Sequence, residues 1–101
     1  MAEKKKPTYD LESIKSEFST VKTLRMTRTA RDGAFALGLS LQDVVDVIAS
    51  MTRQQFYKSM TSYNDHKTWQ DVYHVPVADV TVYVKFTTDD EGKLLISFKE
   101  K

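Results

Sequence analysis

The chain has 101 residues, 41% apolar and 29% charged, with 15 basic against 14 acidic residues and no cysteine. This is the size of one globular domain with one modest core, and the lack of cysteine excludes disulfides, thiolate catalysis and cysteine-ligated zinc. A net charge of +1 counts against binding a polyanion by bulk charge, so any basic surface must come from placement.

The opening MAEKKKPTYD has a basic run with no apolar stretch behind it, and reads as neither a signal peptide nor a membrane span. Residues 1–7 are expected to form a flexible basic tail and 8–101 a single domain, in the cytoplasm. Leu11, Ile14 and Phe18 then recur at i, i+3 and i+7, with Asp10 placed as an N-cap. Thr27 suits the cap of a second helix in which Ala30, Ala34 and Leu37 share a face; Gly38 follows as a natural stop, although Gly33 is a poor helix former inside it. In SLQDVVDVIASM, Ser40 caps, Asp43 suits the first turn by its charge, and Leu41, Val44, Val45 and Ile48 make an apolar stripe. Thr52 to Gln55 fits a capping box and predicts one more short turn.

The second half alternates with period two. Val80, Val82, Val84 and Phe86 oppose Thr81, Tyr83, Lys85 and Thr87; Leu94, Ile96 and Phe98 oppose Leu95, Ser97 and Lys99. The two apolar sets must share a face. A three-residue loop, Asp90-Glu91-Gly92, achieves this and pairs Tyr83 with Lys99, Val84 with Phe98 and Phe86 with Ile96; a register shifted by two residues would still leave Tyr83 diagonal to Lys99. WQDVYHVP reads as a further strand ended by Pro76, with Trp69, Tyr73 and Val75 inward and Gln70 and His74 outward. FYKSMTSY is a fourth strand, but Phe56, Lys58 and Met60 against Tyr57, Ser59 and Tyr63 do not orient it. The expected fold is α+β, N-terminal helices packed on one face of a mainly antiparallel sheet.

The uncovered face would carry Tyr83, Lys85 and Lys99, with Gln70 on a neighbouring strand. Most antiparallel sheets simply solvate such a face. The residue types also suit RNA, since lysine holds phosphate, tyrosine stacks on a base, and glutamine can hold a base edge or a 2′-hydroxyl. Lys22, Arg25, Arg28 and Arg31 add a stripe, the arginines spaced by three, that would extend a phosphate track if that segment is helical. Clustered cations on a partly desolvated face would also lower lysine and tyrosine pKa values. His66 and His74 lie at no metal-ligand spacing, there is no Gly-rich phosphate loop, and no metal or cofactor is expected.

FYKSMTSYNDHKTWQDVY, with VYVKF and the ending SFKEK, closely resembles the MqsR (motility quorum-sensing regulator) family of bacterial toxins; TRTARDGAFALGLSLQDVV fits it more loosely, and TDDEGK is a longer, more acidic turn than that family's. The resemblance implies a RelE-like ribonuclease fold and metal-independent cleavage of mRNA at GC-containing sites. It also implies inhibition by a cognate zinc-binding, DNA-binding antitoxin of the MqsA kind, with operator DNA touched only through that partner. The family's active residues correspond to Lys58, Gln70, Tyr83 and Lys99, and Lys58 comes from the resemblance alone. Tyr57, Arg25, Arg28 and Lys85 are expected to bind RNA, Tyr57 serving either as core filler or as a stacking platform. A non-catalytic RNA-binding module on the same face, or a purely protein-binding domain, are the alternatives.

Overall fold

Local hydrogen bonding sets the helix starts. In the computed structural model, which describes residues 2–61, 65 and 67–100, Asp10 accepts from the Ser13 N–H at 3.0 Å and opens α1 (Leu11–Glu17). Thr27 accepts from the Ala30 N–H at 3.0 Å and opens α2 (Arg28–Ala36), after which Gly38 takes the left-handed conformation at φ 79°. Ser40 and Asp43 cap each other at the start of α3 (Leu41–Ser50), at 3.1 and 2.8 Å. Asp43 thus contributes a hydrogen bond as well as a charge. A single 3-10 turn, Arg53–Gln55, follows, with the Thr52 N–H on Gln55 Oε1 at 3.0 Å. No single helix among the described residues is long and apolar enough to cross a membrane.

Five antiparallel strands make one sheet in chain order: β1 (Glu3–Lys4), β2 (Phe56–Thr61), β3 (Trp69–Val77), β4 (Val80–Thr88) and β5 (Leu94–Glu100). The α+β expectation is borne out, as is the hairpin: Tyr83 pairs with Lys99, Val84 with Phe98, Phe86 with Ile96, and Gly92 sits at φ 79°. The helices cover one face. Ile14, Phe18, Ala30, Ala34, Val44 and Ile48 close over Tyr73, Val75, Val82, Val84, Phe86, Ile96 and Phe98. A Cβ on Gly33 would lie 3.0 Å from the Phe98 carbonyl oxygen, so the glycine that weakened the helical pattern leaves room for α2 to lie against β5.

Three features depart from the pattern. The stretch expected as a free tail holds β1, Glu3 pairing with Met60 and Lys4 with Ser59. Ala2 extends the pairing, accepting from the Thr61 N–H and donating to Thr61 Oγ1, each at 2.9 Å. The chain just beyond β1 is anchored by Asp71, fully buried, whose carboxylate accepts from the Thr8 N–H at 3.0 and 2.9 Å and the Tyr9 N–H at 2.8 Å. A buried carboxylate must find donors, and here the N-terminal backbone supplies them. Pro76 does not end β3, which pairs on through Val77 with Val80. Pairing with β2 reaches only Tyr73, so a residue without an N–H costs little beyond that point. Finally, the outer edge of β5 is closed by the segment before α2, the Ile96 N–H donating to Arg25 O at 2.8 Å and the Thr27 N–H to Ile96 O at 3.1 Å. Tyr63 and His66 lie outside the described residues.

Candidate active site on the open sheet face

The registers array the open face in rows. His74, Tyr83 and Lys99 form one; Lys58, Val72, Lys85 and Ser97 the next; Glu3, Met60 and Gln70 the third. Lys58 therefore shares the face of Lys85 and Tyr83, which alternation could not establish. The obstacle was a bulge: Phe56 pairs with Tyr73 while Lys58 pairs with Val72, leaving Tyr57 as an extra residue. Phe56 turns to the core and contacts the Tyr73 ring edge-on at 5.4 Å, whereas Tyr57 and Lys58, though consecutive, both reach the open side. Tyr57 is 44% exposed and stacks on His74 at 4.4 Å, which decides against a core role.

His74 meets Tyr83 edge-on at 4.8 Å, so Tyr57, His74 and Tyr83 form a ring ladder across three strands. The expectation that His74 is a strand histidine is met, with its Nε2 covered by its neighbours. Beside the ladder, Tyr57, Lys58, Met60, Val72, Tyr83 and Lys85 line a shallow depression of about 280 Å³. Val72 is its floor, buried to 3% exposure on the uncovered face, with lysine stems on either side of it. The structure thus brings Lys58, Tyr83, Lys85 and Tyr57 together. Gln70 and Lys99 stand at opposite ends: from strand spacing and rise, their Cα atoms are roughly 16 Å apart. The four expected catalytic residues form a strip rather than a single cluster.

Lys58 also has an ion-pair partner that sequence reading missed. Its Nζ donates to Glu3 Oε1, and that hydrogen bond raises the Lys58 pKa above its ordinary value, against the opposing effect of burial. Glu3 is lowered by the same contact. The expectation that clustered cations would lower the lysine pKa is overturned at Lys58, because a carboxylate has joined the cluster. The second half of the sequence carried no trace of this, since the partner arrives from β1.

The arginine stripe does not form. Thr27 caps α2, so Arg25 lies outside the helix, lends its carbonyl to Ile96 and pairs with Asp89 at the base of the terminal hairpin. Arg28 and Arg31 are exposed on α2, in the layer covering the other face. Among the described residues no three His, Asp or Glu side chains gather closely enough to hold a metal ion.

Fold and face together define a small α+β domain with one sheet surface covered by helices and the other presenting lysines and stacked rings, a surface suited to a polyanion. The model of the family described as motility quorum-sensing regulator, toxin of MqsA, matches residues 6–100, and the chain belongs to that family. It is 39% identical over 99 residues to the mRNA interferase toxin MqsR of Escherichia coli strain K12, a match spanning 98% of this chain and 99% of that protein.

Proposed function

We propose that this chain is an endoribonuclease toxin and that it cleaves mRNA, at GC-containing sites, on the open sheet face. The observation that carries the reading is the convergence of Lys58, Tyr83 and Lys85 on one depression, with Tyr57 beside them as a stacking ring, in a chain whose similar protein is named an mRNA interferase toxin.

The reaction is a transesterification. The 2′-oxygen of the substrate bonds to the adjacent phosphorus, the bond from phosphorus to the 5′-oxygen breaks, and the proton lost at the 2′-oxygen is balanced by one gained at the leaving 5′-oxygen. The products end in a 2′,3′-cyclic phosphate and a 5′-hydroxyl. Charge builds on the phosphate oxygens, and Lys58 and Lys99 stabilise it. A lysine whose pKa is raised holds its proton, so Lys58 acts as a fixed positive charge rather than as a base. Tyr83, between His74 and Lys99 in its row, orients or exchanges a proton at the 2′-oxygen, and Gln70 holds the neighbouring nucleotide. The partner is a cognate zinc-binding, DNA-binding antitoxin, through which any operator contact is made; the substrate places the activity in the cytoplasm.

The test is incubation of the purified protein with a GC-containing RNA in EDTA, beside folded Lys58→Ala and Lys99→Ala variants. Cyclic-phosphate products from the wild type, with a loss of about a hundredfold or more in each variant, are expected. RNA bound but never cut, even with ribosomes supplied, would leave only a binding module.

A further inference from the structure

We propose that β1 is part of the catalytic face, and that Glu3 is a positioning residue that holds the Lys58 ammonium at the rim of the depression. The inference rests on the site proposed above and adds to it a residue from the far end of the chain.

The placement follows from register. Glu3 pairs with Met60, and Met60 with Gln70, so the Glu3 side chain emerges on the open face, one two-residue step along the sheet from the row of Lys58. Lys4, the next residue, points the other way and sets its Nζ 4.3 Å from the Trp69 ring centroid. The two residues of β1 thus face opposite ways: the Lys4 side chain lies over Trp69, away from the depression, and Glu3 reaches the open face. Lysine is a point charge on a flexible four-carbon stem, and without an anchor its ammonium sweeps a wide arc. Here Nζ donates to Glu3 Oε1 and lies 5.2 Å from the Tyr57 ring centroid, so the charge is held over the depression rather than released to solvent. Its side chain is 21% exposed, against 50% for the Glu3 side chain. The carboxylate is the accessible partner and the cation the sheltered one. In agreement, the contact moves the two pKa values apart, Lys58 upward and Glu3 downward. A raised lysine pKa keeps the positive charge to higher pH, and removing the carboxylate removes the largest cause of that rise.

The experiment is single-turnover cleavage of a GC-containing RNA in EDTA from about pH 7 to about pH 11.5, a range that brackets the ordinary lysine value of about 10.4, with uncatalysed alkaline hydrolysis subtracted, on full-length wild type, Glu3→Gln, Glu3→Asp, Lys4→Ala and Lys58→Ala. Glu3→Gln is expected to lower the rate constant at saturating RNA about tenfold, as a misplaced catalytic group does, with little change in the half-saturating RNA concentration. Its alkaline fall in rate should move to lower pH. Glu3→Asp should recover part of the loss, and Lys4→Ala should leave both rate and pH profile unchanged. Nitrogen-15 NMR of the Lys58 ammonium should show a lower titration midpoint in Glu3→Gln. The proposal is overturned if Glu3→Gln cuts at or above the wild-type rate with an unmoved alkaline limb, because the carboxylate would then merely compete with phosphate. It is also overturned if Lys4→Ala reproduces the Glu3→Gln loss, since docking of β1 would then be the whole effect. A fully active Lys58→Ala variant sinks the proposed site itself, a failure readily told apart from either of these.

Discussion

Gln70 and Asp71 are neighbours on β3 with opposite assignments, and substituting each in turn should separate function from stability. Period two sends Gln70 to the open face and Asp71 to the helix side, where it is fully buried. Asp71 accepts from two backbone donors, the N–H groups of Thr8 and Tyr9, at 2.8 to 3.0 Å. Hydrogen bonds to a charged group contribute about 1.5–3 kcal/mol each. Alanine forfeits both and strands two donors, while recovering part of the cost of burying a carboxylate. The net loss expected for Asp71→Ala is about 3–5 kcal/mol, a large share of the roughly 5–15 kcal/mol that holds a domain together. In a chain of this size that lowers Tm by roughly 12 °C or more. Gln70→Ala removes only a half-exposed side chain and should cost about 0.5 kcal/mol or less, yet abolish most RNA cleavage. Trp69 is the one tryptophan in the chain and lies beside both residues, so its fluorescence can follow urea unfolding of each variant. An Asp71→Ala unfolding free energy within about 1 kcal/mol of wild type at unchanged m-value, or a Gln70→Ala variant destabilised as much as Asp71→Ala, would refute the reasoning.

Gly33→Ala should destabilise despite the gain of up to about 1 kcal/mol in helix propensity, because the added Cβ meets the Phe98 carbonyl at 3.0 Å and a paired strand cannot yield; urea unfolding measures the sign. Ala78 turns the corner between β3 and β4 with φ 52°, so Ala78→Asn should raise stability by about 0.5–1 kcal/mol in the same assay. Burial, with Asp71 adding to it, pushes the Tyr73 hydroxyl up to about 12. An unfolded tyrosine ionises near 10, so this group stabilises the fold below that pH and the contribution is lost as pH rises toward the folded value. Tyr73→Phe should therefore flatten the alkaline decline in stability. It should cost little at neutral pH, since the hydroxyl has no hydrogen-bond partner among the described residues.

What the sequence determined by itself is whatever depends on residues a few positions apart. Asp10, Thr27 and Ser40 cap their helices by reaching three residues ahead, and the alternation in β4 and β5 around Gly92 admits the observed register with both apolar sets inward. The same alternation is enough to put Tyr83, Lys85 and Lys99 on one side. Lys58 required either the family resemblance or the fold, because the bulge at Tyr57 breaks the period that would have oriented β2. Tertiary structure alone decided the rest. The N-terminal residues are a strand because they pair with β2, more than 50 positions away, while Asp71 holds the Thr8 and Tyr9 N–H groups just beyond it across 63 and 62 positions; a polar, lysine-rich segment gives no local sign of either. The arginine stripe dissolved because the Arg25 backbone is taken by Ile96. Glu3 reaches Lys58 across 55 positions. Caps and strand periods are written into adjacent residues, whereas the partner of a charge is set by which backbones the folded chain brings within hydrogen-bond reach.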